Sequence, residues 1–402
     1  MSALPTSVFD AEPIPLSARA DIQAILASGD LFRYKADLDT PSPVTLLEED
    51  FAAFMGSKYA LAVNSCSSAI FLSLKALGIR SDDKVLIPAF TFAAVPSAVV
   101  HAGAQPVLVE VSDNYRIDMA DFKAKLTRQI KAVIISHMRG HTSDMDAIMA
   151  LCDARGVPVI EDAAHSLGTL WNNHKIGTIG KIGCFSFQSY KMVNGGEGGI
   201  MLTDDDDLVA RAVIMSGAYE HNWAKHRLET EKFAAYQNTL PLFNLRMNNL
   251  SAVVIRAQLS EIDRRVNAGR ENYDYVAEKL NACAHLHVPD ALPQEQRAPD
   301  SIQFNLVDFS EDEALALMAA SEANGTPISI FGLHKDNARA FWNWQFIGNT
   351  PDLPRTRAML MKACDMRLPA RLRKSELDAV ADGVLQSVRT VKSTSSEPTI
   401  AA

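Results

Sequence analysis

The chain has no run of five or more like charges, the longest being Asp204 to Asp207, and no apolar stretch nears the ~18 residues of a membrane helix. It has no CxxC pair: Cys66, Cys152, Cys184, Cys283 and Cys364 are odd in number and far apart. That argues against a disulfide framework and a zinc site, and no metal is expected. GxxxxGK[ST] is absent, and no GxGxxG follows the first expected strand, so neither common nucleotide loop is present. The N-terminus lacks a basic start followed by an apolar core, the mark of a secretory signal. Lys and Arg number 39 against 48 Asp and Glu, a net charge of −9, which disfavours a nucleic-acid coat. These absences suggest a cytoplasmic protein that binds neither membrane nor nucleic acid.

What remains is 402 residues, 48% hydrophobic and 22% charged. That length implies two or three lobes with ample core material. Strands are expected at 58–63, 84–87, 106–111, 131–136, 157–161, 184–187 and 198–203. Helices are expected at 67–77, 143–155 and 205–215. Continuous apolar strands alternating with helices imply an α/β fold whose mostly parallel sheet is covered on both faces. A long proline-free helical pattern runs from Leu250 to about Leu280, and an amphipathic helix from Ser375 to Val388. We expect a large domain over 14–250, a smaller one over 251–391 joined by segment 1–13, and a disordered polar tail over 392–402.

Four segments carry candidate chemistry. IEDAAHSLG (160–168) delivers Glu161 and Asp162 at the carboxyl end of a strand, where open parallel sheets bind ligands. A carboxylate there can pair with a protonated pyridine nitrogen; a capping aspartate would read the same way. CFSFQSYKMVNGGEGG (184–199) places Lys191 between phenylalanines and a glycine-rich loop. A desolvated lysine becomes a usable nucleophilic amine, whereas a surface lysine beside a turn is the ordinary alternative. VNSCSSAIFLSL (63–74) puts small hydroxyl residues where a strand becomes a helix, an anion site or a plain N-cap by Ser67. IPAFTFAAV (87–95) offers Phe90 and Phe92, either of which could lie on a flat ring or in the core.

In this order and spacing the segments resemble the DegT/DnrJ/StrS family of sugar and cyclitol aminotransferases, over about residues 51–259 with a fainter echo at DMRLPARLRKSELDAV. The resemblance implies the aspartate aminotransferase-like fold, called fold type I: a seven-stranded, mostly parallel sheet in a large domain and a small α+β C-terminal domain. It also implies pyridoxal 5'-phosphate as cofactor, with pyridoxamine phosphate as its alternate form. Lys191 would form the Schiff base and Asp162 would pair with the ring nitrogen. His165 would reach the ring hydroxyl, Ser67, Ser68 and Ser186 would bind phosphate, and Phe92 would stack on the ring. FNLRMNNLSAVVIRAQL (243–259) resembles a family stretch whose asparagine, here Asn244, reaches the partner's cofactor in a homodimer; a turn residue is the plainer reading. Glutamate or glutamine is the implied amino donor.

Arg33 and Tyr34 would lie in a loop near the substrate, and His141 and Tyr219 are further candidates. His137, Arg139, His221, Trp223 and Arg246 are weaker ones. Two departures stand out. The family's Gly-Thr pair in the phosphate turn is Cys66-Ser67 here, and its His-Tyr-x-Pro-x-His stretch is replaced by ISIFGLHKDNARAFWNW (328–344). A dehydratase on the same fold carries histidine in place of the lysine, which Lys191 argues against. A non-catalytic regulator would not need the lysine, aspartate and hydroxyl set.

Overall fold

The computed structural model describes residues 8, 10–35, 39–228 and 231–395. Seven strands build the large sheet: β1 Tyr59–Val63, β2 Lys84–Pro88, β3 Gln105–Val109, β4 Ile130–Ser136, β5 Val159–Asp162, β6 Ile182–Ser186 and β7 Gly199–Thr203. Their order is β1-β7-β6-β5-β4-β2-β3, and β7 runs antiparallel to both its neighbours while the remaining pairs are parallel. The expected α/β architecture is therefore present. Strand ends differ from expectation by a residue or two, the usual scatter at frayed termini.

Alternation in β6 decides what faces the site. Phe185 and Phe187 point to one side and meet Phe51 edge-on, with ring centroids 5.4 and 5.6 Å apart. Such edge-to-face contacts add about 0.5–1.5 kcal/mol each beyond burial. Cys184 and Ser186 point to the other side, where Cys184 Sγ lies 3.4 Å from Ser73 Oγ in helix Cys66–Ala76. In β5 the same alternation separates neighbouring acids. Glu161 is fully buried; its oxygens accept from the N–H groups of Gly177, Ile179 and Gly180, and one lies 3.1 Å from His137 Nε2. Glu161 thus closes a structural loop and leaves Asp162 to the other face. His137 belongs to the same buried pair.

The helix expected over 250–280 is two helices, Asn249–Arg256 and Ile262–Asn281, joined by a 3-10 turn at Leu259–Glu261. The break falls at Gln258, which is fully buried. Its amide donates to Asn194 O at 2.7 Å and accepts from Asn194 N at 3.1 Å. Arg265, seven residues on, donates to Met192 O at 2.6 Å. The interruption therefore pins the loop that carries Lys191.

A second sheet, β8 Leu286–His287, β9 Ser301–Leu306, β10 Ser329–Ile330 and β11 Ala363–Arg367, is antiparallel in the order β8-β9-β11-β10. It packs with helix Lys374–Ser395 and the end of helix Ile262–Asn281 in an apolar cluster of its own. Helix Lys374–Ser395 continues past Lys392, where a disordered tail was expected; Lys392 pairs with Glu313 at 3.0 Å. Residues 396–402 lie outside the described residues. Among the described residues no helix is long and apolar enough to cross a membrane.

Candidate functional site

The carboxyl ends of β1, β2, β4, β5 and β6 open on one rim of the large sheet. Lys191 stands there on the turn after β6. Its N–H donates to Gln188 O at 2.8 Å, while the Gly195 N–H donates to Phe187 O at 2.7 Å. Its Nζ lies 2.8 Å from Nε2 and 3.2 Å from Nδ1 of His165. Burial strips water from the Lys191 amine and brings its pKa down to about 8, with Arg139 adding to the effect. A lysine so placed spends far more of its time neutral than one in water. Burial, then the Lys191 charge, pushes His165 well below the usual histidine range, so its ring is neutral.

Asp162 sits beneath this pair, three residues before His165. Its carboxylate accepts from Ser136 Oγ at 2.8 Å and from the Ala164 N–H at 3.2 Å. The Cys66 thiol lies 3.8 Å from the same group. Ser136 and Asp162 are register partners at the ends of β4 and β5, which explains the contact. Asp162 is held by three donors and lies near enough to Lys191 for its charge to act on the amine.

Helix Cys66–Ala76 points its N-terminus at the same rim. Its N-cap is Ser65 rather than Ser67: Ser65 Oγ accepts from the Ser68 N–H at 3.1 Å. Cys66 takes ordinary helical backbone, so the glycine of the resembled family is dispensable at this position. The N–H groups of Cys66 and Ser67 have no protein acceptor among the described residues, and Ser67 is exposed. Free donors at a helix N-terminus suit a phosphate. The turn is built against β7: a Cβ on Gly199 would stand 2.3 Å from Ser65 C and 2.4 Å from Cys66 N. Ser186, at the end of β6, completes this side, its Oγ accepting from the Gln188 N–H at 3.3 Å.

Phe92 is 46% exposed and shares a groove of about 610 Å³ with Ser67, Ser68 and Phe71. Phe90 is buried against Phe331, ring centroids 5.0 Å apart. Of the two rings, Phe92 is the one presented. A larger groove of about 890 Å³ lies among helices Arg19–Ser28, Pro43–Met55 and Asn249–Arg256, and none of its lining residues belongs to the Lys191 site. Together these groups fit pyridoxal phosphate: an amine for its aldehyde, a carboxylate for its ring nitrogen, orphan N–H donors for its phosphate and an exposed ring for its face. Among the described residues no cluster of three metal-ligating side chains occurs.

The outer candidates divide. Arg33 and Tyr34 do not face the cleft, which corrects the expectation of a substrate loop. Arg33 is 2% exposed and forks onto both oxygens of Glu48 at 2.8 Å; Tyr34 Oη lies 2.8 Å from His226 Nε2. Arg33 Nη1 and Nη2 and the Tyr34 hydroxyl are taken up by a buried network with Glu48 and His226. His141 is likewise buried, its Nε2 2.9 Å from Gln303 Oε1 of β9, so it braces the two sheets instead of meeting a substrate. Tyr219 is 39% exposed and lies under the Arg246 guanidinium, 5.7 Å from the ring centroid. Trp223 stacks on Phe233 at 5.1 Å, a packing role. Asn244 is exposed on a segment held to β1 by the Asn64 N–H to Leu245 O bond of 2.8 Å.

Sequence reasoning missed Ser136, the Cys66–Asp162 contact, Arg339 and Arg367. Ser136 was readable only with the strand order in hand. The two arginines lie in the C-terminal stretches 328–344 and 365–380, where sequence alone gives neither of them a role.

The profile of the DegT/DnrJ/EryC1/StrS aminotransferase family matches residues 26–385. The chain is 35% identical over 254 residues to the spore coat polysaccharide biosynthesis protein SpsC of Bacillus subtilis, covering 62% of this chain and 64% of that protein. It is 33% identical over 228 residues to GDP-perosamine synthase of Vibrio cholerae, 56% of this chain and 59% of that one. The matched stretch thus spans less than two thirds of these relatives' length. Among solved structures, 3-amino-5-hydroxybenzoic acid synthase superposes with a TM-score of 0.84 at 24% identity, over 97% of this chain and 100% of that one. The pyridoxal phosphate form of the putative sugar aminotransferase Spr1654 from Streptococcus pneumoniae gives 0.82 at 19% identity, over 97% and 100%. Identities this low establish the shared fold, which is the one the resemblance implied.

Proposed function

This chain belongs to the DegT/DnrJ/EryC1/StrS aminotransferase family, and from that premise we propose that it moves an amino group from glutamate or glutamine to a keto or aldehyde carbon of a sugar or cyclitol. One observation carries the reading: a lysine amine brought down to a pKa of about 8 stands 2.8 Å from a neutral histidine, above a carboxylate held by three donors. Bound pyridoxal phosphate supplies an electron sink that acidifies the donor's α C–H bond. Lys191 would hold the group covalently, then carry the proton at Nζ, because a desolvated amine is both nucleophile and base near neutral pH. Asp162 would hold the ring nitrogen in its protonated state. Ser136 and the Ala164 N–H keep that carboxylate aimed. His165 would accept from or donate to the ring hydroxyl, and Ser67, Ser68, Ser186 and the Cys66 and Ser67 N–H groups would hold phosphate. Phe92 would cover the open face and exclude water.

The working unit in this reading is a homodimer, with Asn244 of one copy completing the phosphate site of the other. The exposed Asn244 and the exposed apolar side chains Leu16, Leu26, Leu31, Phe32 and Leu242 support it.

The test is direct. Purified protein loaded with pyridoxal phosphate is incubated with L-glutamate or L-glutamine and a panel of keto sugars and cyclitols, and amine products are read by mass spectrometry. The reading expects at least one aminated product, lost in Lys191→Ala. No amine from any acceptor, or undiminished turnover in Lys191→Ala, defeats it.

A further inference from the structure

Three arginines, Arg139, Arg339 and Arg367, stand near enough to His165 for their charges to oppose its protonation, and their pairing is unequal. Arg139 follows β4 in left-handed backbone, φ 56° and ψ 25°, a conformation that is strained for a side-chain-bearing residue. It pairs with Asp365 of β11, whose other oxygen accepts from Gln303 Nε2 at 2.8 Å. That carboxylate is fully engaged. Arg367 ends β11, stacks over Tyr190 at 4.7 Å and lines a small cavity together with Lys191, Ser189 and Asp300. Arg339 stands over Phe92, 5.7 Å from the ring centroid, and over Phe331 at 5.9 Å. Neither Arg339 nor Arg367 makes an ion pair among the described residues, and the Nε of each is buried without a hydrogen-bond partner.

Arg339 is held in place. Ala340, the next residue, bridges Phe90 in antiparallel register. The Asn337 side chain accepts from the Arg339 N–H at 2.9 Å and donates to Phe331 O at 2.9 Å, and Trp344 Nε1 donates to Ala338 O at 2.8 Å. The cation is thus fixed beside the ring proposed to cover the cofactor, and close enough for its charge to oppose protonation of His165. A cation kept half-buried and unpaired is costly unless something anionic arrives. A guanidinium fork fixed beforehand binds a planar carboxylate with little further ordering.

We propose that Arg339, seconded by Arg367, receives a carboxylate of a substrate that reacts at Lys191, so that this enzyme selects an acidic co-substrate. The inference rests on the aminotransferase reading for the word substrate. The carboxylate can belong to the amino donor, as in glutamate, or to the acceptor, as in a keto-uronic acid. The chemistry at the arginines is the same.

Binding is measured first, by calorimetry on protein loaded with pyridoxal phosphate, using glutarate and its uncharged counterpart glutaramide as probes. This arm needs no turnover, so it stays readable if amino transfer itself fails. Wild type should bind glutarate at least ten-fold tighter than glutaramide. Arg339→Gln should lose that preference, and Arg339→Lys, which keeps the charge, should retain part of it. Melting temperatures show whether each variant is folded, and Arg367→Gln is an independent second variant. Stopped-flow absorbance then separates the half-reactions. A ten-fold slower donor half with L-glutamate, and an unchanged one with L-alanine, puts the carboxylate on the donor. An unchanged donor half, with a return half slowed for a keto-uronic acid but not for the neutral keto sugar, puts it on the acceptor. Equal binding of glutarate and glutaramide by wild type overturns the proposal. So does unchanged glutarate binding in both Gln variants, or lost binding with both half-reactions unchanged.

Discussion

Replacing Arg33 with Met should destabilise the protein without touching its chemistry. Glu48 is 2% exposed, and its oxygens receive Arg33 Nη1 and Nη2 and the Ala62 N–H, each at 2.8 Å, with His226 Nδ1 at 3.5 Å. Burial alone would push this carboxyl up; Arg33 and His226 override it and hold it down to about 2. Arg33→Met removes the strongest partner and strands a buried anion, which costs about 3–5 kcal/mol when one member of such a pair is deleted. At a urea slope near ~3 kcal/mol per molar, that lowers the unfolding midpoint by roughly 1–2 M. The assay is urea unfolding followed by far-UV circular dichroism, beside KM values for both half-reactions. Arg33→Met with Glu48→Leu should recover much of the loss, because no lone charge remains. The network also titrates. The Glu48 pKa is depressed, so its stability is present above the ordinary carboxyl range and fades as pH falls toward 2. Burial, then Arg33, brings His226 down to about 4, so its share fades as pH falls from 6.5 toward 4. A wild-type midpoint in Arg33→Met, with a KM raised ten-fold, would refute the network account and return Arg33 to the substrate.

Capture of pyridoxal phosphate by the cofactor-free chain should speed up as pH rises through about 8 and level above it, followed by absorbance; an inflection near ~10.5, the free-lysine value, would contradict the desolvated amine. Gly199→Ala should weaken cofactor binding at least ten-fold by equilibrium dialysis, because the new Cβ meets backbone of the phosphate turn at 2.3 Å and such overpacking costs about 1–3 kcal/mol. Ser136→Ala removes a 2.8 Å bond to the Asp162 carboxylate, worth about 1.5–3 kcal/mol for a charged acceptor, and should likewise weaken cofactor retention while leaving Lys191 reactive. Unchanged dissociation constants in either variant would count against the site as drawn.

How far the sequence reached depended on how local each signal was. The strands and the helix after β1 follow from runs of apolar residues and a Ser-rich boundary, so they were readable from neighbours in the chain. Alternation in CFSF even predicts which face Ser186 takes. The continuous helix over 250–280 was misjudged because Gln258 breaks it to reach Asn194, a residue 64 positions away. Arg33 and Tyr34 misled for the same reason: only the fold reveals Glu48 and His226 beside them. Phe90 and Phe92 look alike in sequence, and burial against Phe331, the residue after β10, separates them. Arg339 carries no local signature; its meaning arises from the bridge that sets it beside the loop after β2.

Borohydride reduction of the pyridoxal phosphate-loaded protein, followed by proteolysis and peptide mass mapping, tests the central claim most directly. The account predicts a single pyridoxyl adduct on the peptide containing Lys191. An adduct on another lysine, or none in protein shown to be fully loaded, would contradict it.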